Sequence, residues 1–119
     1  MNPAKIFKAL SEPTRLRCLF LLVKEDELCV CELTHALALP QPKVSHHLAN
    51  LRKAELVCDR KDGLWIYYRL NPELPQWVLE MIHATAEGIK NEEPFVNDAL
   101  ALAKMSNSSG GVCSALGQP

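Results

Sequence analysis

Gln41-Pro42-Lys43-Val44-Ser45-His46-His47-Leu48 is the stretch that decides the fold. Pro40 and Pro42 bound a turn, and a helix is predicted from Lys43 to Lys53. Val44, Leu48 and Leu51 recur at i, i+4 and i+7, so one stripe is built for burial. Lys43, Ser45, His46, Asn50 and Lys53 fall outside that stripe, and no carboxylate occurs between 41 and 53. A second helix after a short turn, with its polar face left to solvent, is the pattern of a helix-turn-helix. Gln41, Lys43, Ser45 and His46 carry the donors and acceptors needed at base edges or phosphates in a major groove. A lone helix with this face would be an ordinary solvated surface, so the neighbouring segments decide.

Downstream, Glu55 to Arg60 and Leu64 to Leu70 are two runs of strand-forming residues around Asp62-Gly63. They predict a β-hairpin, a wing. Arg60 and Lys61 fall near its tip, where they would meet phosphate and add affinity without specificity. Trp65, Tyr67 and Tyr68 read as hairpin packing. Trp77, Val78, Met81, Ile82 and Thr85 then trace an apolar stripe at helical spacing. Gly88 and Pro94 are expected to interrupt it before a short helix from Phe95 to Ala103. A long amphipathic helix with little else to cover it reads as a dimer face, and a two-fold suits a palindromic DNA site.

Upstream, residues 3–10 read as a short helix. Leu16, Leu19, Phe20 and Val23 form a second helical stripe after Pro13, whose missing N–H does no harm in a first turn. Leu28 to Leu39 follows, with Leu33, Ala36 and Leu37 on a helical face and Leu28-Cys29-Val30 readable as a short strand or a frayed helix start. The expected organisation is one domain over 1–104 and a small, polar, flexible tail over 105–119.

The chain has 119 residues, a hydrophobic fraction of 48% and a net charge of −1. That length allows a single modest core. The charge is uneven. Residues 1–70 carry 11 Lys/Arg against 8 acids, whereas residues 71–119 carry 2 against 6. The basic excess lies in the half that holds the helix-turn-helix, and local charge is what a DNA surface needs. No apolar run approaches the roughly 18 residues of a membrane span, and the first residues lack a secretory pattern. A cytoplasmic protein with no membrane partner is expected.

Five cysteines in a cytosolic chain are not expected to form a disulfide framework. Cys29-Val30-Cys31 is the closest pair. On a regular helix, residues i and i+2 point about 200° apart and cannot grip one ion. On extended backbone they share a face. Chelation therefore requires the start of this helix to be extended or unwound, which would tie metal binding to the helix beneath the DNA-reading one. Thiolates select soft ions. The plain reading is two small buried residues of a core.

With Glu27-Leu28-Cys29-Val30-Cys31-Glu32-Leu33, Gln41 to Leu48 and Tyr68-Arg69-Leu70 in place, residues 3–90 closely resemble the ArsR/SmtB family of metalloregulatory repressors. The resemblance implies a mainly α winged helix-turn-helix with a β-hairpin wing, and a homodimer through the first and last helices. It also implies a repressor on near-palindromic double-stranded operator DNA, released when As(III) or Sb(III) binds cysteine thiolates. No organic cofactor is implied. Cys29 and Cys31 match the family's thiolate motif, but Thr34 stands where the third cysteine of Cys-x-Cys-x-x-Cys would be. Cys113, Cys58, Cys18, solvent, a small-molecule thiol or two-coordinate binding remain open for the third position. His83 is the lone histidine in the last helical region, so the Asp/His site of zinc and nickel sensors is not expected.

The alternative is a winged-helix regulator answering another soft ion or thiol oxidation. A thiol enzyme lacks support: the chain has no Cys-x-x-Cys pair, no Gly-rich phosphate loop and no His or acid pairing near Cys29.

Overall fold

The computed structural model describes residues 1–106. The elements run α1 (Pro3–Leu10), α2 (Pro13–Lys24), β1 (Leu28–Cys29), α3 (Val30–Leu37), α4 (Gln41–Lys53), β2 (Val57–Asp62), β3 (Trp65–Leu70), α5 (Gln76–Ile89) and α6 (Phe95–Ser106). Each of the first three helices is started by a side chain that satisfies an orphan amide. Asn2 Oδ1 accepts from the Lys5 amide, Glu12 Oε2 from Arg15, and Glu32 Oε1 reaches back to the Cys29 amide at 2.9 Å. Both α3 and α4 end with a left-handed residue, Ala38 (φ 55°) and Glu55 (φ 65°). The amides of Leu39 and Leu56 then close onto the carbonyls of Thr34 and Leu51, the 6→1 bond that ends many helices.

Val44, Leu48 and Leu51 of α4 are fully buried, together with Leu21 of α2 and Leu33 of α3. Each such side chain gains roughly 1.5–3 kcal/mol on leaving water, so the seam read from the sequence is what docks the helix. Three strands form an antiparallel sheet in the order β1-β3-β2. The ambiguous Leu28-Cys29 resolves as a strand, with Leu28 opposite Tyr68 and Cys29 opposite Tyr67. The wing pairs Asp62 with Trp65, so its two-residue turn is Gly63-Leu64, one residue later than expected. Gly63 has φ +63°, and glycine at the first central position suits such a turn.

The last third departs further from the sequence reading. Gly88 does not break α5, which runs to Ile89. Val78, Ile82 and Ala86 are buried and α5 packs on α2, so part of the apolar stripe belongs to this chain's own core. Trp77 on α5 and Phe7 on α1 remain 43% and 54% exposed. The final helix reaches Ser106, two residues past the expected domain boundary, and Met105 is buried. It packs on α3 and α2. Phe95 meets Phe20 edge-on at 5.5 Å between centroids. Cys113 and the rest of 107–119 lie outside the described residues. Among the described residues no helix is long and apolar enough to cross a membrane.

Arg17 fixes α6 in place. Its Nε and Nη2 each donate to Asp98 at 2.8 Å, and Nη2 also donates to the Leu37 carbonyl at 3.0 Å. The hydrogen bond to Asp98 raises the guanidinium pKa. Asp98 is 3% exposed, so removing either charge strands the other in a poorly solvated place. Asp98→Ala is expected to lower unfolding free energy by about 3 kcal/mol in urea denaturation. A loss below about 1 kcal/mol would show that α6 is not held by this pair.

Candidate nucleic-acid interface and cysteine site

Helix α4 places Gln41, Lys43 and His46 in solvent, with Ser45 half-buried. Gln41 Nε2 donates to Ser45 Oγ at 2.8 Å, and His46 Nε2 lies 3.2 Å from Asn50 Nδ2. These i, i+4 contacts hold the polar side chains along one face without using all of their donors and acceptors. His47 turns the other way. It is buried, with Nδ1 3.3 Å from Arg15 Nη1 and 3.5 Å from Glu12 Oε2. It helps seat α4 on the start of α2, away from the solvent face that carries Gln41, Lys43 and His46.

The two wing cations differ. Lys61 is exposed. Arg60 donates through Nε and Nη2 to both Glu27 oxygens, at 2.8 and 2.6 Å, and its guanidinium lies 4.5 Å over the Tyr67 ring. Arg60 holds the Glu27 carboxyl below its usual range. Arg60 therefore enters any phosphate contact already paired, whereas Lys61 forms no ion pair among the described residues. Leu64, at the tip, is 81% exposed. At the other end of the hairpin, Arg52 Nη1 of α4 donates to Asp59 at 2.9 Å and ties the close of the reading helix to β2.

The cysteine pair straddles the strand–helix junction. Cys29 has φ −82° and ψ 160°, extended backbone, while Cys31 is already in α3. That break is the departure from helical geometry that an i, i+2 thiol pair needs. The two Sγ atoms are 2.6 Å apart, with Cys29 fully buried and Cys31 5% exposed. The sulfurs are in direct contact with each other, so an ion is held only after they part; as soft donors they suit a thiophilic one. No group of three His, Cys, Asp or Glu suited to a metal occurs among the described residues. Thr34 Oγ1, at the missing third position, is buried with no hydrogen-bond partner. As a hard hydroxyl it does not replace a thiolate. Cys18 is buried, and desolvation pushes its thiol up to about 12, so it stays protonated. Cys58 lies on β2 opposite Arg69; β3 separates it from Cys29, two residues out of register, so the two are more than two strand spacings of about 4.8 Å apart.

Register joins the cysteines to the wing. Cys29 faces Tyr67, and Tyr67 faces Arg60, in one row across the sheet. Leu28, Tyr68 and Asp59 form the next row, which ends on Arg52 of α4. Glu27, the residue before β1, closes back onto Arg60. Sequence reasoning missed Glu27, Asp59 and Arg52: Glu27 and Arg60 pair across 33 residues, and Arg52 and Asp59 across 7 from a helix to a strand, and neither separation leaves a helical or strand periodicity to read.

A three-helix DNA-binding unit with a β-hairpin wing beside its reading helix defines a winged helix-turn-helix regulator, here with a cysteine pair at the start of the helix that packs on the reading helix. Residues 12–58 match the model of the arsR family of bacterial regulatory proteins. The chain is 51% identical over 105 residues to the arsenic resistance transcriptional regulator ArsR1 of Pseudomonas putida, covering 88% of this chain and 80% of that one. It is 40% identical to the arsenical resistance operon repressor of Escherichia coli, over 94% and 96% of the two chains. Among solved structures, HlyU of Vibrio cholerae superposes with a TM-score of 0.63 at 34% identity, over 71% and 87% of the chains. The antimony-specific transcriptional repressor AntR gives 0.60 at 31%, over 73% and 76%. The chain belongs to the arsR family of bacterial regulatory proteins.

Burial lowers the His47 pKa; Glu12 opposes this, and Arg15, His46 and Lys43 reinforce it. The folded state thus binds this proton less readily than the unfolded chain does. Stability from this group is present above the unfolded value near 6.5 and is lost as pH falls through that value toward the folded one. Urea midpoints measured from pH 7.5 to 5 should fall, and His47→Gln should flatten that part of the profile. An unchanged profile in the variant would rule out His47 as its source.

Proposed function

We propose that this chain is a transcriptional repressor of a metalloid-resistance operon, binding operator DNA as a homodimer and released by As(III) or Sb(III). The observation that carries the reading is the buried Cys29–Cys31 contact at a junction of extended and helical backbone, at the start of the helix that packs on α4. The arsenic and arsenical names of its relatives support the inducer class, and the exposed Phe7 and Trp77 on α1 and α5 support a dimer face. Gln41, Lys43, Ser45 and His46 read the operator, while Lys61 and, once shared or released by Glu27, Arg60 contact phosphate. Cys29 and Cys31 hold the metalloid, and Cys113 is a candidate third donor. The chain has no enzymatic role in this reading, and a cytoplasmic location follows from its DNA partner.

Because the sulfurs are buried, an ion reaches them only if the β1–α3 junction opens. Opening alters the row Cys29–Tyr67–Arg60 and the segment that carries Glu27, so the wing and the support of α4 change together. A coupling of about 1–3 kcal/mol, roughly 5–150-fold in DNA affinity, is typical of such switches.

Fluorescence anisotropy on DNA from directly upstream of the coding sequence tests this. Arsenite under reducing conditions should release the wild type. The Cys29→Ser/Cys31→Ser double variant should bind DNA and ignore arsenite; release from that variant would overturn the assignment of the two cysteines. Release by peroxide and not by arsenite would move the reading to thiol oxidation. Glu27→Gln removes one charge of the wing contact without touching a thiol. It should shrink the arsenite effect by about 0.5–2 kcal/mol, two- to thirty-fold, while DNA binding persists. An undiminished effect would take Glu27 out of the route.

A further inference from the structure

A cleft of about 200 Å³ opens between α1, the start of α2 and the C-terminal end of α4, lined by Lys5, Lys8, Arg15, Asn50 and Lys53. Its remaining lining, Ala9 and Ala54, is small. No carboxylate lines it. Glu12, one turn before Arg15, accepts from the Arg15 amide and faces His47. Among the described residues Lys5, Lys8 and Lys53 form no salt bridge. Arg15 is fixed by a 2.6 Å hydrogen bond from Nε to the Ala9 carbonyl and by its contact with His47. Four cations thus converge on one opening, an arrangement that self-repels unless an anion neutralises it.

The cleft continues the reading face. Lys43, His46, Asn50 and Lys53 follow one another at i, i+3, i+7 and i+10 along α4, and Asn50 also donates to the His46 carbonyl. Ten residues of helix rise roughly 15 Å, more than the major groove's width of about 12 Å. With the N-terminal residues of α4 at base edges, its Lys53 end reaches the sugar–phosphate backbone bordering the groove.

We propose that this cleft is a phosphate-binding site for the DNA backbone flanking the base contacts, assembled from α1, Arg15 and the end of α4. The proposal rests on the DNA-binding reading above. It assigns α1 a part in DNA affinity in addition to packing. The contacts are to phosphate, so they position the reading helix and carry no sequence information.

The test is the dependence of log K on log salt concentration for the full chain, on upstream DNA and on a scrambled duplex. Each phosphate neutralised contributes about 0.9 to the slope. Lys8→Gln/Lys53→Gln should flatten the slope by about 1–2 and weaken binding roughly tenfold on both duplexes alike. Lys24→Gln removes a charge nine residues along α2 from Arg15, about 13 Å by helix rise, and should leave the slope as in the wild type. An unchanged slope in the double variant, or an equal flattening with Lys24→Gln, overturns the proposal. Titration of the DNA-free protein with inorganic phosphate, followed by amide shifts at Lys8 and Asn50, separates the other source. Millimolar saturation there with no change in DNA salt slope would make this a small-anion site and overturn the DNA assignment. Failure of the wild type to bind either duplex would remove the functional reading itself; binding with unaltered slopes removes the cleft alone.

Discussion

The two-residue strand Leu28–Cys29, paired on β3, is the constraint on which the rest depends. By holding Cys29 in extended conformation it forces α3 to begin at Val30. That brings two thiols, two residues apart, onto one side. It also attaches the thiols to the sheet whose other two strands are the wing. A helix begun two residues earlier would turn Cys29 and Cys31 to opposite sides and disconnect both from the hairpin.

Around that strand, strong and weak interactions divide the labour. The apolar seam of α4 and the Arg17–Asp98 pair set the positions of the reading helix and α6, because burial makes each expensive to undo. Arg60–Glu27 and Arg52–Asp59 are exposed, and exposed ion pairs add little to stability. They are suited to being rearranged. A switch needs contacts of this second kind between its sensor and its output, since contacts as costly as the first would hold one state regardless of ligand.

Charge follows a similar division. The basic excess lies in the half that forms the helix-turn-helix and wing, but its members are not equivalent. Lys43 and Lys61 are exposed and form no ion pair among the described residues, Arg60 is matched by Glu27, Arg17 is consumed by Asp98, and Arg15 is anchored in the lining of a cationic cleft. The count of cations along the chain therefore overstates what the wing offers and misses what α1 and the end of α4 assemble.

The sequence by itself determined the reading helix, its buried Val44, Leu48 and Leu51, the hairpin and the thiol pair, because each rests on periodicity or spacing within a few residues. It also determined that the thiol pair required a non-helical start. The tertiary structure decided what that start pairs with, that His47 faces α2, that Arg60 is engaged by Glu27, and that α5 and α6 cover this chain's own core. It also decided that Lys5, Lys8, Arg15 and Lys53 share one cleft. These are contacts between residues far apart in the chain. Their identity is set by how helices and strands stack, and no local pattern of residues encodes that geometry.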